Sequence, residues 1–204
     1  MQVKTKYFSY GQTEINYLKK ADPVLGEAMD RMGRIQRVII PDLFSALINA
    51  IVGQLISVKT AQTVWQKMQD KFLEVTPQYI ASQTAECIQS CGITMKKATC
   101  IKNISETIVH GKLNLNELHL LSDSEIIKRL TKLSGIGKWT AEMLLINSME
   151  RPDVVSWGDL AIRRGMCKLY GVKEISKEQF EKYKNRYSPY GSTASIYLWQ
   201  ISFQ

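Results

Sequence analysis

The chain has 204 residues, 45% of them hydrophobic and 23% charged, the balance of a globular protein and not of a disordered or fibrous one. Twenty-seven Lys and Arg against 19 Asp and Glu give a formal charge of +8, which favours a polyanionic partner, although mild basicity also serves solubility alone. No apolar run approaches the roughly 20 residues of a membrane span, and the opening MQVKTKYFSY lacks the apolar centre of a signal peptide, so a soluble intracellular protein is expected.

Helix signals dominate from there on. Asp22-Pro23 offers an N-cap and a first-turn proline for a helix ending near Gly33. Pro41 opens a second, with Leu43, Phe44, Leu47, Ile48, Ile51 and Val52 at helical spacing and Gly53 as its stop. The pattern predicts a helix over 57–74, one from Thr76-Pro77 that stops before Gly92, and one over 95–109 closed by Gly111. Ser122 and Glu125 form a capping box ahead of Ile126, Ile127 and Leu130. Further helices are predicted over about 138–148, 159–170, 176–186 and 191–201, whereas strand signals are confined to the first ten residues and Val154-Val155. The expected fold class is all-α, a compact helical bundle with at most a short β stub at the N-terminus.

Composition narrows the chemistry. Cys87, Cys91, Cys100 and Cys167 make neither a C-x-x-C pair nor a zinc pattern. His110 and His119 are the only histidines, which leaves little room for a histidine-based triad.

The segment Leu133-Ser134-Gly135-Ile136-Gly137-Lys138-Trp139-Thr140-Ala141 joins two predicted helices. Glycines at 135 and 137 permit a tight turn with positive φ and expose backbone N–H groups at the start of the next helix, where the dipole adds positive charge. Lys138 supplies a full charge beside it. Taken alone, such a G-x-G is more often a simple helix–turn–helix corner. Some twenty residues on, Val154-Val155-Ser156-Trp157-Gly158-Asp159-Leu160-Ala161-Ile162-Arg163-Arg164 places a carboxylate after a glycine at a helix start. Most such aspartates are only N-caps. Arg163, one turn on, is a candidate to hold Asp159 ionised.

These two runs, LSGIGKWTA and VVSWGDLAIRR, resemble the helix-hairpin-helix DNA glycosylases, the HhH-GPD superfamily, and within it the 3-methyladenine DNA glycosylase II group. Ile51-Val52-Gly53-Gln54-Leu55-Ile56-Ser57, Arg186-Tyr187-Ser188-Pro189-Tyr190 and Tyr197-Leu198-Trp199 extend the likeness over roughly residues 20–204. The resemblance implies Asp159 as the catalytic aspartate and Gly135 and Gly137 as the glycines that present N–H groups to a DNA phosphate. It implies Gln54, Leu55 and Lys138 as further DNA-binding residues, with Leu55 as the wedge that fills the gap left by an extruded nucleotide. Trp139 and Tyr187 are implied as walls of the base pocket, and the carbonyls of Thr131, Leu133 and Ile136 as holders of a structural monovalent cation. Two helical subdomains are implied, about 36–132 and about 133–204 with 1–35, with the active-site cleft between them.

Departures from the superfamily pattern sharpen the expectation. Strand-cleaving members carry lysine where this chain has Trp139, and Lys138 falls one position early, so the implied enzyme is monofunctional and leaves an abasic site. With no cysteine after Cys167, no iron–sulfur cluster is expected, nor any organic cofactor, and the N-terminal β-rich domain of some members is expected to be missing or cut to a stub. The implied partner is double-stranded DNA carrying damaged bases, bound by a monomer. The residues leave two alternatives open: a glycosylase for a deaminated or oxidised base, or a non-catalytic DNA-binding module. Leu55 and Trp139 have packing as the alternative role, and Lys96, Lys97, Arg163, Arg164 and Lys168 are either phosphate contacts or solvated faces.

Overall fold

The computed structural model describes residues 2–204. Among them are twelve α-helices and one two-stranded sheet, so the fold is all-α. Strands β1 (Lys6–Tyr7) and β2 (Val38–Ile39) are two residues each. No helix among the described residues is long and apolar enough to cross a membrane.

The described residues divide into two compact units, one of 2–6 and 39–149, the other of 7–38 and 150–204. The first contains α3 (Leu43–Gly53), α4 (Val58–Lys71), α5 (Pro77–Ser82), α6 (Ala85–Gln89), α7 (Met95–Val109), a 3-10 turn (Asn116–Leu120), α8 (Asp123–Leu130) and α9 (Lys138–Asn147). Its core is α3, whose Leu47, Ile48, Ile51 and Val52 are fully buried against α4, α7 and α9. Each such side chain contributes about 1.5–3 kcal/mol of transfer free energy. The second holds α1 (Gln12–Ala21), α2 (Pro23–Met32), α10 (Leu160–Tyr170), α11 (Lys177–Tyr187) and α12 (Gly191–Phe203), with α10 packed most extensively on α12. The expected boundary near 133 therefore falls at 149 instead. Helix α9, buried all round from Thr140 to Ile146, packs on α3 and α8 and takes the hairpin with it into the first unit.

Capping explains most helix starts. Asp22, Asp42, Ser57, Thr76, Thr84, Thr94 and Ser122 each accept a backbone N–H from the first turn of α2 to α8 respectively. Thr84 also accounts for one departure from expectation: it caps α6 and breaks the single helix predicted from Thr76 into two. Helix α3 begins at Leu43 under Asp42, not at Pro41. Helix α1, absent from the sequence reading, buries only Leu18 and starts after Gly11 with no side-chain cap to mark it. Val154-Val155 is not a strand but a loop segment, held by Ser192 Oγ at the Val154 N–H (3.0 Å) and by the Ser195 hydroxyl on the Val154 carbonyl (2.8 Å).

Candidate DNA-binding and catalytic residues

In the first unit the hairpin 131–138 follows α8 and leads into α9. Gly135 has φ +85°, the left-handed value the turn requires, and a Cβ there would meet Cys100 Sγ at 2.6 Å. The Cys100 thiol in α7 donates to the Ser134 carbonyl at 3.1 Å, so the back of the turn rests on this side chain. Gly137 differs: its φ is −91°, and a Cβ there would meet nothing within 4 Å. Its glycine keeps the approach to the α9 N-terminus open, and no side chain caps that end, unlike α2 to α8. Exposed Lys138 adds its ammonium beside this terminus, 3.7 Å from the buried Glu142 carboxylate one turn on. Trp139 is half-buried on the first turn of α9.

The Gln54 amide does not point away from the protein. Its Nε2 donates to the Gly135 carbonyl (3.0 Å) and to Thr140 Oγ1 (2.9 Å), tying the end of α3 to the hairpin. Leu55 follows at φ +57°, a strained value for a leucine, and its side chain is 102% exposed. It is therefore not a packing residue. Lys97, one of the candidate phosphate ligands, instead donates to the carbonyls of Val52 (2.8 Å) and Gln54 (2.6 Å) at the C-terminal end of α3. Burial pushes its ammonium below the ordinary lysine value. Lys96 is exposed.

The carbonyls of Thr131, Leu133 and Ile136 form a donor set of neutral oxygens without a carboxylate, which in chemistry fits a monovalent cation. Leu133 O already accepts the Ile136 N–H at 3.1 Å, leaving it one lone pair for such an ion. No group of three or more His, Cys, Asp or Glu suited to a metal occurs among the described residues.

In the second unit Asp159 is the N-cap of α10 and is buried. Its Oδ1 accepts from the N–H groups of Ala161 and Ile162, both at 2.9 Å, which fixes the carboxylate plane at the positive end of the helix. Arg37 is a cation that senses its charge, and Arg163, the partner expected from spacing, stacks on Trp157. Arg37 is partly buried with its guanidinium 4.4 Å over the Trp199 ring; desolvation lowers its pKa and the charge of Asp159 raises it. Arg163 lies 4.8 Å over Trp157, and its buried Nε has no hydrogen-bond partner. No sequence spacing pointed to Arg37, which lies more than a hundred residues from Asp159. Lys168 donates to the Ser202 carbonyl at 3.0 Å, whereas Arg164 is exposed.

Tyr187 has no exposed surface. Its hydroxyl meets that of Tyr170 at 2.5 Å, and Tyr170 donates to Asp22 Oδ2 at 2.7 Å, with Arg186 3.3 Å from the same oxygen. Burial raises the pKa of both phenols above the usual range. This network ties α2, α10 and α11 together and places the ring in packing, not on an open wall.

Known proteins share this fold. Over 164 residues the chain is 32% identical to DNA-3-methyladenine glycosylase 1 of Schizosaccharomyces pombe, covering 78% of this chain and 72% of that protein. The crystal structure of a DNA-3-methyladenine glycosidase from Bacillus halodurans superposes with a TM-score of 0.80 at 29% identity, over 97% of this chain and 92% of that one. The S. pombe 3-methyladenine DNA glycosylase in complex with abasic DNA superposes with a TM-score of 0.82 at 28% identity, over 93% and 96%. Residues 48–189, from the middle of α3 through the hairpin and Asp159 to Pro189, match the model of the HhH-GPD superfamily base excision DNA repair protein. The chain belongs to the HhH-GPD superfamily of base excision DNA repair proteins.

Proposed function

We propose that this protein is a monofunctional DNA glycosylase that hydrolyses the N-glycosidic bond of flipped-out alkylated purines such as 3-methyladenine. The observation that carries this reading is Asp159, a buried carboxylate oriented by two helix N–H groups under the influence of Arg37. An ordinary surface N-cap needs neither burial nor a guanidinium that senses its charge.

The target base lies inside a duplex, so its nucleotide must be extruded, at a cost of a few kcal/mol that is lower for a damaged base. Leu55 enters the space left behind, while the N–H groups around Gly137 and the Lys138 ammonium hold the backbone phosphate. Thr131, Leu133 and Ile136 carbonyls would hold a monovalent cation beside that phosphate, adding positive charge there. An alkylated purine is cationic, and Trp139 attracts it by stacking and cation–π interaction worth roughly 0.5–2 kcal/mol. When the C1′–N bond breaks, its electron pair leaves with the base, which departs neutral. Asp159 stabilises the oxocarbenium-like sugar, and water forms the new C1′–O bond and gives up its proton to the carboxylate. Trp139 offers no amine for a Schiff base, so the product is an abasic site with the strand intact. No organic cofactor or iron–sulfur cluster enters this chemistry.

Single-turnover excision from methylated duplex DNA tests the reading, with Asp159→Asn as the comparison. Release of alkylpurines that requires Asp159, with strand breaks only after alkali, is the expected result. Wild-type protein that binds DNA in a salt-sensitive way yet releases no base from methylated, deaminated or oxidised duplexes would instead mark a binding module.

A further inference from the structure

Three side chains of the first unit, Lys97, Cys100 and Gln54, converge on two surface features, the Leu55 turn and the hairpin. Lys97 and Cys100 stand three residues apart in α7, and so on one face of it. Lys97 grips the carbonyls of Val52 and Gln54, the residues that lead into Leu55. Cys100 grips the carbonyl of Ser134, and its sulfur fills the space a side chain at Gly135 would need. The Gln54 side chain closes the triangle through Gly135 O and Thr140 Oγ1.

Resting on the DNA reading above, we propose that Gln54 and Lys97 are positioning residues that couple the Leu55 wedge to the phosphate-gripping hairpin. A leucine at φ +57° with no packing of its own keeps that backbone only if its neighbours determine it. Lys97 does so from below, by holding the carbonyl immediately before Leu55. Gln54 does so from the side, by joining the same residue to the hairpin. A phosphate captured at Gly137 then draws on a wedge already aimed, and the ordering cost of insertion is met in the folded protein and not at the DNA. Gln54 thus acts on DNA through Gly135 and Leu55.

The test uses the full chain and two readouts. In the first, a duplex carries 2-aminopurine beside a tetrahydrofuran abasic-site analogue, and fluorescence at saturating protein reports unstacking by the wedge. The second is the ratio of single-turnover excision rates for a methylated base in a paired duplex and in an unpaired bubble, where no wedge is needed. Gln54→Met keeps the length of the side chain and loses both hydrogen bonds; Gln54→Glu keeps the shape and loses the donor. Both are expected to lower the fluorescence rise and to reduce the paired-to-bubble ratio roughly five- to tenfold, the worth of a net hydrogen bond or two. Lys97→Met, which attacks the same turn from α7, should do the same. A fluorescence rise equal to wild type in all three variants, or an excision loss identical in duplex and bubble, would overturn the proposal. So would a wild-type protein that produces no rise. Fluorescence needs no bond cleavage, so a wild type that unstacks DNA without releasing base would refute the glycosylase reading while the coupling is still judged by the variants.

Discussion

Gly165 in α10 lies directly against the Leu198 carbonyl of α12: a Cβ built on Gly165 would stand 2.1 Å from that oxygen. Nothing larger than hydrogen fits between two backbones at this distance. The contact sets the closeness of α10 and α12, and α10 carries Asp159 at its N-terminus. Gly165→Ala is therefore expected to lower stability by about 3 kcal/mol, at the upper end for overpacking. Denaturant unfolding would read this, and an unchanged midpoint would mean that the helices separate freely.

Asp159 has two roles that substitution can separate. Asparagine caps helices as well as aspartate does, so Asp159→Asn should lose excision while keeping the cap, with stability lowered only by the charge withdrawn from Arg37. Asp159→Ala loses the cap as well and should cost about 1 kcal/mol more. Thermal unfolding of the two variants beside single-turnover assays would show whether activity follows charge or stability.

Leu55 combines full exposure with left-handed backbone. Glycine tolerates that φ without strain, so Leu55→Gly should be at least as stable as wild type although it removes a whole side chain. Excision from paired duplex should nevertheless fall. A destabilised variant would show that the side chain packs after all.

Salt dependence separates the lysines. Lys138 is exposed beside the uncapped start of α9, and Lys168 is committed to the Ser202 carbonyl. Lys138→Ala should reduce the slope of log K against log salt by about one, the signature of one lost phosphate contact, and Lys168→Ala should leave it unchanged. Titrations at several salt concentrations would measure both.

Burial raises the thiol pKa of Cys91 and of Cys100. Below the ordinary thiol value both folded and unfolded chains keep these protons. Above it only the unfolded chain loses them, so stability should fall as pH rises toward the raised folded values. Alkylation followed by mass mapping should find Cys91 and Cys100 protected in native protein at neutral pH and reactive only on unfolding. Rapid native labelling of Cys100 would mean that the support behind Gly135 opens.

Most helices were legible because their determinants are local. Asp22, Ser57, Thr94 and Ser122 cap the residues that follow them, and the 3.6-residue period of α3 and α7 is written in their apolar side chains. The hairpin and Asp159 were legible for the same reason, since a G-x-G turn and an N-cap are short-range patterns. Helix α1 was not, because Gly11 at its start offers no capping side chain and only Leu18 of its residues is buried.

What the sequence by itself determined is this chain of capped helices, the glycine turn between α8 and α9, and an aspartate at the start of α10. Tertiary structure alone decided the partners. It gave Asp159 to the influence of Arg37 and sent Arg163 to Trp157, sank Tyr187 among Tyr170, Asp22 and Arg186, and turned Gln54 and Lys97 inward to hold the Leu55 turn. The physical reason is range. Caps and periods act over three or four residues along one helix, whereas a buried charge, phenol or amide must find its partner wherever packing brings a complementary group, and that distance in space is not written in spacing along the chain.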